Sequence, residues 1–225
     1  LPDLTEMKDI TLDGMFDSKN KLIQAKLNAP KIVYAGTDIN SVSLDLTTVD
    51  STMYYSALIN KIKVSNIELI NTVFSGKVIK NNLDFGLWIK DKQDKEQYHL
   101  GANMKVDRGN FLFSLLENGL MLNYEKWNVD STNVISFGNA GIQAHNFVLE
   151  NNGQLLEIKS QDSVLNSPID LVFKNFRIET LSKMVAADDM NLGGGINGQA
   201  TISRLESSPV FVSDIGIDKF YLGTD

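Results

Sequence analysis

Apolar and polar residues alternate with a period of two along most of this chain. Val42, Leu44 and Leu46 alternate with serine, aspartate and threonine residues. The same alternation recurs in four further segments, at 83–89, 98–106, 169–173 and 196–203. Because successive side chains of a β-strand point to opposite faces of the sheet, each segment predicts a strand with one apolar face. Such strands are typical of antiparallel sheets that shelter one face.

Short stretches rich in Asn and Gly separate these segments and predict turns, because both residues adopt the left-handed conformation that tight hairpins require. The stretches are 80–82, 107–110, 117–119, 139–141 and 151–153. We therefore predict an all-β chain of about 15–18 strands, each about 5–8 residues long. Helical spacing predicts one short helix near 178–187 and, more weakly, a second at 56–63.

The predicted strand count limits the architecture. Strongly twisted open sheets rarely exceed about 10 strands without curling or splitting into two. A β-sandwich, a closed barrel or a sheet folded lengthwise into a trough would each accommodate the strands. The alternation alone does not choose among them.

A glycine-rich stretch, Gly193–Gly198, matches the dinucleotide-binding pattern G-x-G-x-x-G. That motif requires a strand before the glycines and a helix after them. Here a helical pattern precedes and an alternating one follows, so we predict a turn from the short helix into a strand. Ile196, Ala200 and Ile202 should then face an apolar interior, and Gln199, Thr201 and Ser203 should face solvent. An Ile202→Asp substitution should therefore be damaging and Thr201→Asp nearly silent.

The net charge of −7 argues against nucleic acid as a partner, because phosphate binding needs clustered Lys and Arg. The charges at 90–97 cancel. The chain contains no cysteine and no run of about 18 apolar residues that could span a bilayer as a helix. It begins without Met, so we expect a single β-rich segment, 1–225, of a longer protein.

Candidate catalytic groups are few. The two histidines, His99 and His145, have no second histidine or carboxylate at metal-ligand spacing, and we expect both to be structural. No combination of nucleophile, base and orienting group is recognisable. We therefore predict that the chain is not an enzyme and has neither a metal site nor a cofactor.

The second half of the chain resembles the C-terminal region of the TamB family (translocation and assembly module subunit), in the form found in Bacteroidetes. The likeness lies in "LNYEKWNVD" (122–130), "ISFGNAGIQAHNFVLENNGQLLEI" (135–158), "PIDLVFKNFRIETLS" (168–182) and "GGGINGQATISRLESSPVFVSDIGIDKF" (193–220). The order of these stretches carries the likeness more than any one of them. Residues 1–110 share only the alternating pattern.

The resemblance implies a fold and a location. TamB proteins belong with the AsmA-like proteins, which are anchored in the inner membrane of Gram-negative bacteria by an N-terminal helix. Their β-rich body crosses the periplasm as a long antiparallel sheet curled into a U-shaped trough, or β-taco, with an apolar interior. The family is linked to phospholipid transport, to outer-membrane biogenesis and to protein secretion. An outer-membrane β-barrel of the TamA type is the expected protein partner, and phospholipid or another amphiphile the expected ligand.

In such a trough the apolar stripes would line the groove and bind lipid. The candidate groove-lining residues are Val42, Leu44, Leu46, Leu83, Phe85, Leu87, Ile89, Leu100, Ala102, Met104, Val106, Ile169, Leu171, Phe173, Ile196, Ala200 and Ile202.

Two alternatives stay open. An open trough has edge strands, so the segment could act as a chaperone-like surface that adds outer-membrane β-strands to an edge. A closed β-sandwich or barrel could instead bury the stripes in its own core and act as an interaction module. Self-association through the apolar groove is a further open alternative.

Overall fold

The chain folds into antiparallel β-structure, as the alternation predicts. A computed structural model describes residues 3–64, 67–180, 182 and 191–223. These residues form seventeen strands. The strands are β1 (Leu4–Lys8), β2 (Thr11–Asp17), β3 (Leu22–Tyr34), β4 (Thr37–Val49), β5 (Thr52–Val64), β6 (Ile67–Ile79), β7 (Asn82–Lys90), β8 (Glu96–Asp107), β9 (Asn110–Leu122), β10 (Glu125–Val129), β11 (Val134–Gly138), β12 (Gly141–His145), β13 (Phe147–Asn151), β14 (Gln154–Ser160), β15 (Ile169–Arg177), β16 (Asn191–Ser203) and β17 (Val210–Gly223).

The chain divides into two compact units, unit 1 (Leu1–Leu100) and unit 2 (Gly101–Asp225). In unit 1 the strands β3 to β7 pair in chain order. Both β1 and β2 lie beside β3, with β2 against its first half and β1 against its second. Among the described pairings of unit 1, none returns from β7 to β1 or β2, as closure into a barrel would require.

A row of residues that the strand pairing skips, here called the bulged row, crosses four strands of unit 1 at the same level. Pro30, Ser41, Asn60 and Asn71 lie in this row, between the pairs on either side of it. The φ angle is 53° at Ser41 and 46° at Asn71, and the register shifts by one residue between β6 and β7. Left-handed residues and bulges inside a strand bend it and increase its twist. The positive φ angles at Ser41 and Asn71 and the register shift between β6 and β7 therefore lie at one level of the sheet.

In unit 2 the strands from β13 to β17 also pair in chain order. Strand β10 pairs with both β9 and β13, and β11 pairs with β9 and β12. Between the parts of β9 that pair with β11 and with β10, the amide side chain of Asn133 hydrogen-bonds to the β9 backbone. Leu115 N donates to Asn133 Oδ1, and Asn133 Nδ2 donates to Leu115 O, both at 2.8 Å. This buried side chain thus continues the hydrogen bonding of the sheet.

Several details differ from the sequence-based expectations. The strand count is right, but many strands have 13 residues rather than 5–8. The stretch 117–119 lies inside β9 instead of forming a turn, because the Asn and Gly there occupy strand positions next to other backbone. The weak helical pattern at 56–63 lies within β5, where pairing on both sides overrides local spacing.

The helix predicted near 178–187 falls mostly on 181 and 183–190, which lie outside the described residues. In the described part, Ser182 N donates to Ile178 O at 2.9 Å, the hydrogen bond of one helical turn. The glycines that follow do not form the predicted turn. Gly193, Gly194 and Gly195 lie inside β16, where Gly193 and Gly195 pair with β17 and the register shifts between them. The nucleotide motif thus has a strand where a phosphate loop would be needed.

Candidate functional site

The strand register of unit 1 brings its apolar residues onto one face, here called the unit 1 apolar face. Three cross-strand rows define it: Ala29–Val42–Ile59–Thr72–Ile89, Leu27–Leu44–Ala57–Phe74–Leu87 and Ala25–Leu46–Tyr55–Gly76–Phe85. The row that runs from Ala29 to Ile89 lies directly beside the bulged row. Seven predicted groove residues are therefore brought together, namely Val42, Leu44, Leu46, Leu83, Phe85, Leu87 and Ile89.

Burial on this face falls with distance from the bulged row. Ala29 is 1% exposed and Ile89 is 3% exposed. Phe74, two residues from Thr72 along β6, is 40% exposed, and Phe16, at the far end of β2, is 72% exposed. Most of the other residues on the face are half-buried. The unit 1 apolar face is thus covered along one line and accessible beyond it.

Beyond the bulged row, a further apolar row crosses β1 and β3 to β6. It consists of Met7, Ile32, Ile39, Ile62 and Leu69. In β3 to β6, each residue of this row lies three positions from a residue of the Ala29–Ile89 row. Residues on one face of a regular strand are an even number of positions apart, so the apolar alternation shifts by one position at the bulged row. The sequence signal for this change is the spacing of Ile59 from Ile62 and of Ile39 from Val42, which a regular period of two does not give.

An aromatic cluster occupies the middle of the unit 1 apolar face. The ring centroids of Tyr55 and Phe74 are 5.4 Å apart, and those of Phe74 and Phe85 are 5.9 Å apart. Tyr55 lies across Gly76 and donates its hydroxyl hydrogen to the backbone oxygen of Asp84 at 3.2 Å. Burial raises the pKa of the Tyr55 hydroxyl. Because Gly76 has no side chain, Tyr55 can connect β5 to β7 over the strand between them.

The opposite face of unit 1 is mainly polar. Cross-strand ion pairs join Lys26 to Asp45 and Lys77 to Asp84, each at 3.5 Å. His99 stacks its ring on Trp88 with centroids 4.8 Å apart, and its Nδ1 lies 3.3 Å from Glu96 Oε1. The two faces of the sheet therefore differ in chemistry as the alternation predicts.

Four predicted groove residues lie on β8, at alternate positions that share one face of that strand. They are Leu100, Ala102, Met104 and Val106. Ala102 is fully buried, Leu100 and Met104 are half-buried, and Val106 is exposed.

Unit 2 has an apolar face of its own, formed by β13 to β17. The remaining predicted groove residues all lie on this face: Ile169, Leu171, Phe173, Ile196, Ala200 and Ile202. Ile169 pairs with Ile202 and Leu171 with Ala200, while Phe173 pairs with Gly198 and Ile196 with Phe176. Ala200 is 2% exposed, whereas Ile196 and Ile202 are half-buried. Gln199, Thr201 and Ser203 lie at the alternate positions of β16, on the other face; Gln199 is exposed, whereas Thr201 and Ser203 are half-buried.

Sequence reasoning missed the most buried part of the unit 2 apolar face. Trp127 is almost fully buried, and its ring centroid lies 5.6 Å from that of Phe176. Phe147 and Leu149 lie on the same face through pairing with Ile158 and Leu156. The alternation of Phe147 with Leu149 was a usable signal. Trp127 lies in a five-residue strand, too short for its period to stand out.

Conventional catalytic features are sparse in the described part of the chain. No group of three or more His, Asp or Glu residues there could hold a metal ion. An open cavity of about 490 Å³ is lined by Glu125, Arg177, Asn175 and the 152–154 turn. Arg177 Nη2 already donates to both carboxylate oxygens of Glu125, at 2.6 and 2.8 Å. The described residues contain no helix that is long and apolar enough to span a membrane.

Comparisons with protein-family models, with curated proteins and with solved structures gave no match.

Proposed function

We propose that this chain is a periplasmic segment of a TamB-like, AsmA-like envelope protein of a Gram-negative bacterium. Its U-shaped trough would hold phospholipid or another amphiphile between the inner and outer membranes and so support outer-membrane protein assembly and secretion. The proposed protein partner is an outer-membrane β-barrel of the TamA type, and the whole protein would be anchored in the inner membrane. The observation that carries the proposal is the half-exposed apolar face of unit 1.

The bulged row supports a trough. If unit 1 folds along Pro30, Ser41, Asn60 and Asn71, the Ala29–Ile89 row becomes the floor, where burial is indeed greatest. The row from Met7 to Leu69 would then begin the second wall, with its apolar side chains turned inward. An extra residue at the bulged row would turn the following side chains to the other face, and the change of apolar phase there offsets this. Apolar residues would then stay on the inner side of both walls.

Lipid binding agrees with the size and chemistry of this face. Contiguous apolar surface beyond a few hundred Å² usually marks an interaction site. Burial of an acyl chain on it would contribute about 0.8 kcal/mol for each methylene group removed from water. The polar opposite face, with its Lys26–Asp45 and Lys77–Asp84 pairs, would remain in solvent.

Native mass spectrometry of protein purified from a Gram-negative host tests the proposal. We expect adducts whose masses match phospholipids, and their loss in a Leu44→Asp variant, which places a charge within the unit 1 apolar face. Asp45→Asn changes the next residue, on the opposite face, and should keep the adducts. Wild-type protein that stays free of lipid after incubation with phospholipid vesicles would contradict the proposal.

A second function, addition of a client β-strand to an edge, is favoured by β17. This strand has 14 residues, pairs with β16, and is exposed from Phe211 to Leu222. Adjacent residues of a strand direct their N–H groups to opposite sides, so one of Val212 and Ser213 donates away from β16. Val212→Pro and Ser213→Pro each remove one of these N–H groups. The variant that removes the outward-pointing N–H should abolish binding of an extended outer-membrane strand peptide and leave lipid uptake intact. Unchanged peptide binding by both proline variants would rule out this edge.

A further inference from the structure

Two hydroxyl groups on the unit 1 apolar face are buried and have no hydrogen-bond partner among the described residues. They are Thr72 Oγ1 and the hydroxyl of Tyr98, and each of these residues is 6% exposed. Most buried hydroxyls in proteins are hydrogen-bonded, because an unpaired one loses its bonds to water without replacement. Two such groups on one face of unit 1 therefore call for an explanation.

Both residues are neighbours of Ile89 in the sheet. Thr72 pairs directly with Ile89 across β6 and β7. Trp88 stacks on His99, so these two side chains share the polar face. Their chain neighbours, Ile89 and Tyr98, must then share the apolar face, because successive side chains of a strand alternate. Thr72 and Tyr98 thus lie on either side of Ile89, at the most buried row of that face.

The surroundings select the chemistry of a ligand. Ala29, Val42 and Ile59 complete the row, so a ligand that reaches Thr72 must be mainly hydrocarbon. Burial raises the pKa of the Tyr98 hydroxyl, which therefore stays protonated and can donate a hydrogen bond. A carbonyl oxygen attached directly to a long alkyl chain meets both requirements.

We propose that Thr72 and Tyr98 bind the ester carbonyl oxygens of an acylated lipid held on the unit 1 apolar face. The ester end of the lipid lies at the Ala29–Ile89 row, and its acyl chains follow the strands toward Phe74, where apolar side chains are more exposed. This inference rests on the proposed lipid-binding function and adds the group that is recognised and the orientation of the lipid.

Competition between two lipids tests it. The probes are a diester phosphatidylglycerol and its dialkyl ether analogue, with the same headgroup and chain length, and binding is measured by titration monitored with native mass spectrometry. Wild-type protein should prefer the ester by roughly tenfold, about the effect of one or two buried hydrogen bonds. Thr72→Val and Tyr98→Phe should each reduce the preference, and the double variant should bind both lipids equally. Thr48→Val, which alters another threonine on this face, should leave the preference unchanged.

Stability measurements separate ligand recognition from a structural role. Valine and phenylalanine occupy nearly the same space as threonine and tyrosine and remove an unpaired hydroxyl, so the lipid-free variants should be at least as stable as wild type. A loss of stability in either variant would contradict the inference, and so would equal uptake of ester and ether lipids by wild-type protein. Neither result would affect the proposed function, whereas failure of wild-type protein to take up either lipid would overturn both.

Discussion

Thr201 donates its hydroxyl hydrogen to the carboxylate of Asp170 across β15 and β16, with 2.6 Å between the two oxygens. In the neighbouring pair of the same two strands, Ile202 lies opposite Ile169 on the other, apolar face. A single register thus produces a charged hydrogen bond on one face and an apolar contact on the other. The hydrogen bond changes the effect expected of Thr201→Asp, and the apolar pair supports the effect expected of Ile202→Asp.

The Thr201→Asp substitution should not be silent, although the sequence alone predicted that it would be. The new carboxylate would lie against Asp170 and lose the hydrogen bond that Thr201 donates. We expect a loss of about 1–2 kcal/mol in the free energy of unfolding at neutral pH. The loss should shrink as the pH is lowered and one carboxylate of the pair takes up a proton. Urea unfolding at several pH values measures this, with Thr201→Asn as the uncharged control; a pH-independent effect would argue against the contact.

Ile202→Asp should cost more, because it places a charge without a partner on the unit 2 apolar face. Ile202 is half-buried, so we expect a loss of about 1–3 kcal/mol in the free energy of unfolding. Gln199→Lys introduces a charge into the same strand on the other face, opposite Asp214, and should change stability by less than about 0.5 kcal/mol. Thermal unfolding of both variants provides the comparison. Equal tolerance of the two changes would mean that β16 does not separate an apolar from a polar face.

Gly76→Ala should destabilise unit 1. A Cβ atom at this position would collide with the backbone oxygen of Asp84 and with the Tyr55 hydroxyl. We expect a loss of about 1–3 kcal/mol in the free energy of unfolding, together with displacement of Tyr55 from its hydrogen bond. Gly14→Ala is the matched control, because Gly14 lies on the same face and a Cβ there would make ordinary contact with Gln24. Denaturant unfolding that ranked Gly14→Ala as the more harmful change would contradict this packing.

Alternation was sufficient to predict which residues share a face. The segments around Leu44, Leu87 and Ala200 were assigned correctly because each has a regular period of two and lies within a fully paired ladder. The bulged row was not predictable in the same way. Ser41 and Asn71 adopt left-handed conformations at the same level as Pro30 of β3 and Asn60 of β5, and this alignment between strands is not visible in one strand's sequence.

The glycines of β16 show a second limit of local patterns. Gly193 was expected to provide a turn, whereas it provides space for the ring of Tyr221 on the adjacent strand. A glycine that permits a positive φ and one that permits a close side chain look alike in the sequence. The residue that needs the space is 28 positions away in the chain, as the pairing of Gly193 with Tyr221 shows.

The attachment of β1 to β3 should depend on pH. Lys31 Nζ lies 2.7 Å from Glu6 Oε2, and this hydrogen bond, with a second from Lys8, lowers the pKa of the Glu6 carboxyl from 4.5 to about 2. A carboxyl whose pKa is lowered on folding stabilises the native state above its unfolded-state pKa and loses that effect as the pH falls toward the folded-state value. The stability difference between wild type and Glu6→Gln should therefore shrink between about pH 4.5 and pH 2. A difference that stays constant across this range would rule out the ion pair as its source.

The central claim, that lipid covers the apolar face of unit 1, can be tested with single cysteines because the natural chain has none. Phe74 and Leu58 are matched positions: they are 40% and 39% exposed, yet they lie on opposite faces of the sheet. The measurement is the rate of maleimide labelling of Phe74→Cys and Leu58→Cys, with and without phospholipid. Lipid should slow labelling at position 74 by roughly tenfold or more and leave position 58 unchanged, as expected for a site buried by a bound chain. Equal labelling rates at position 74 with and without lipid, or equal protection of both positions, would contradict it.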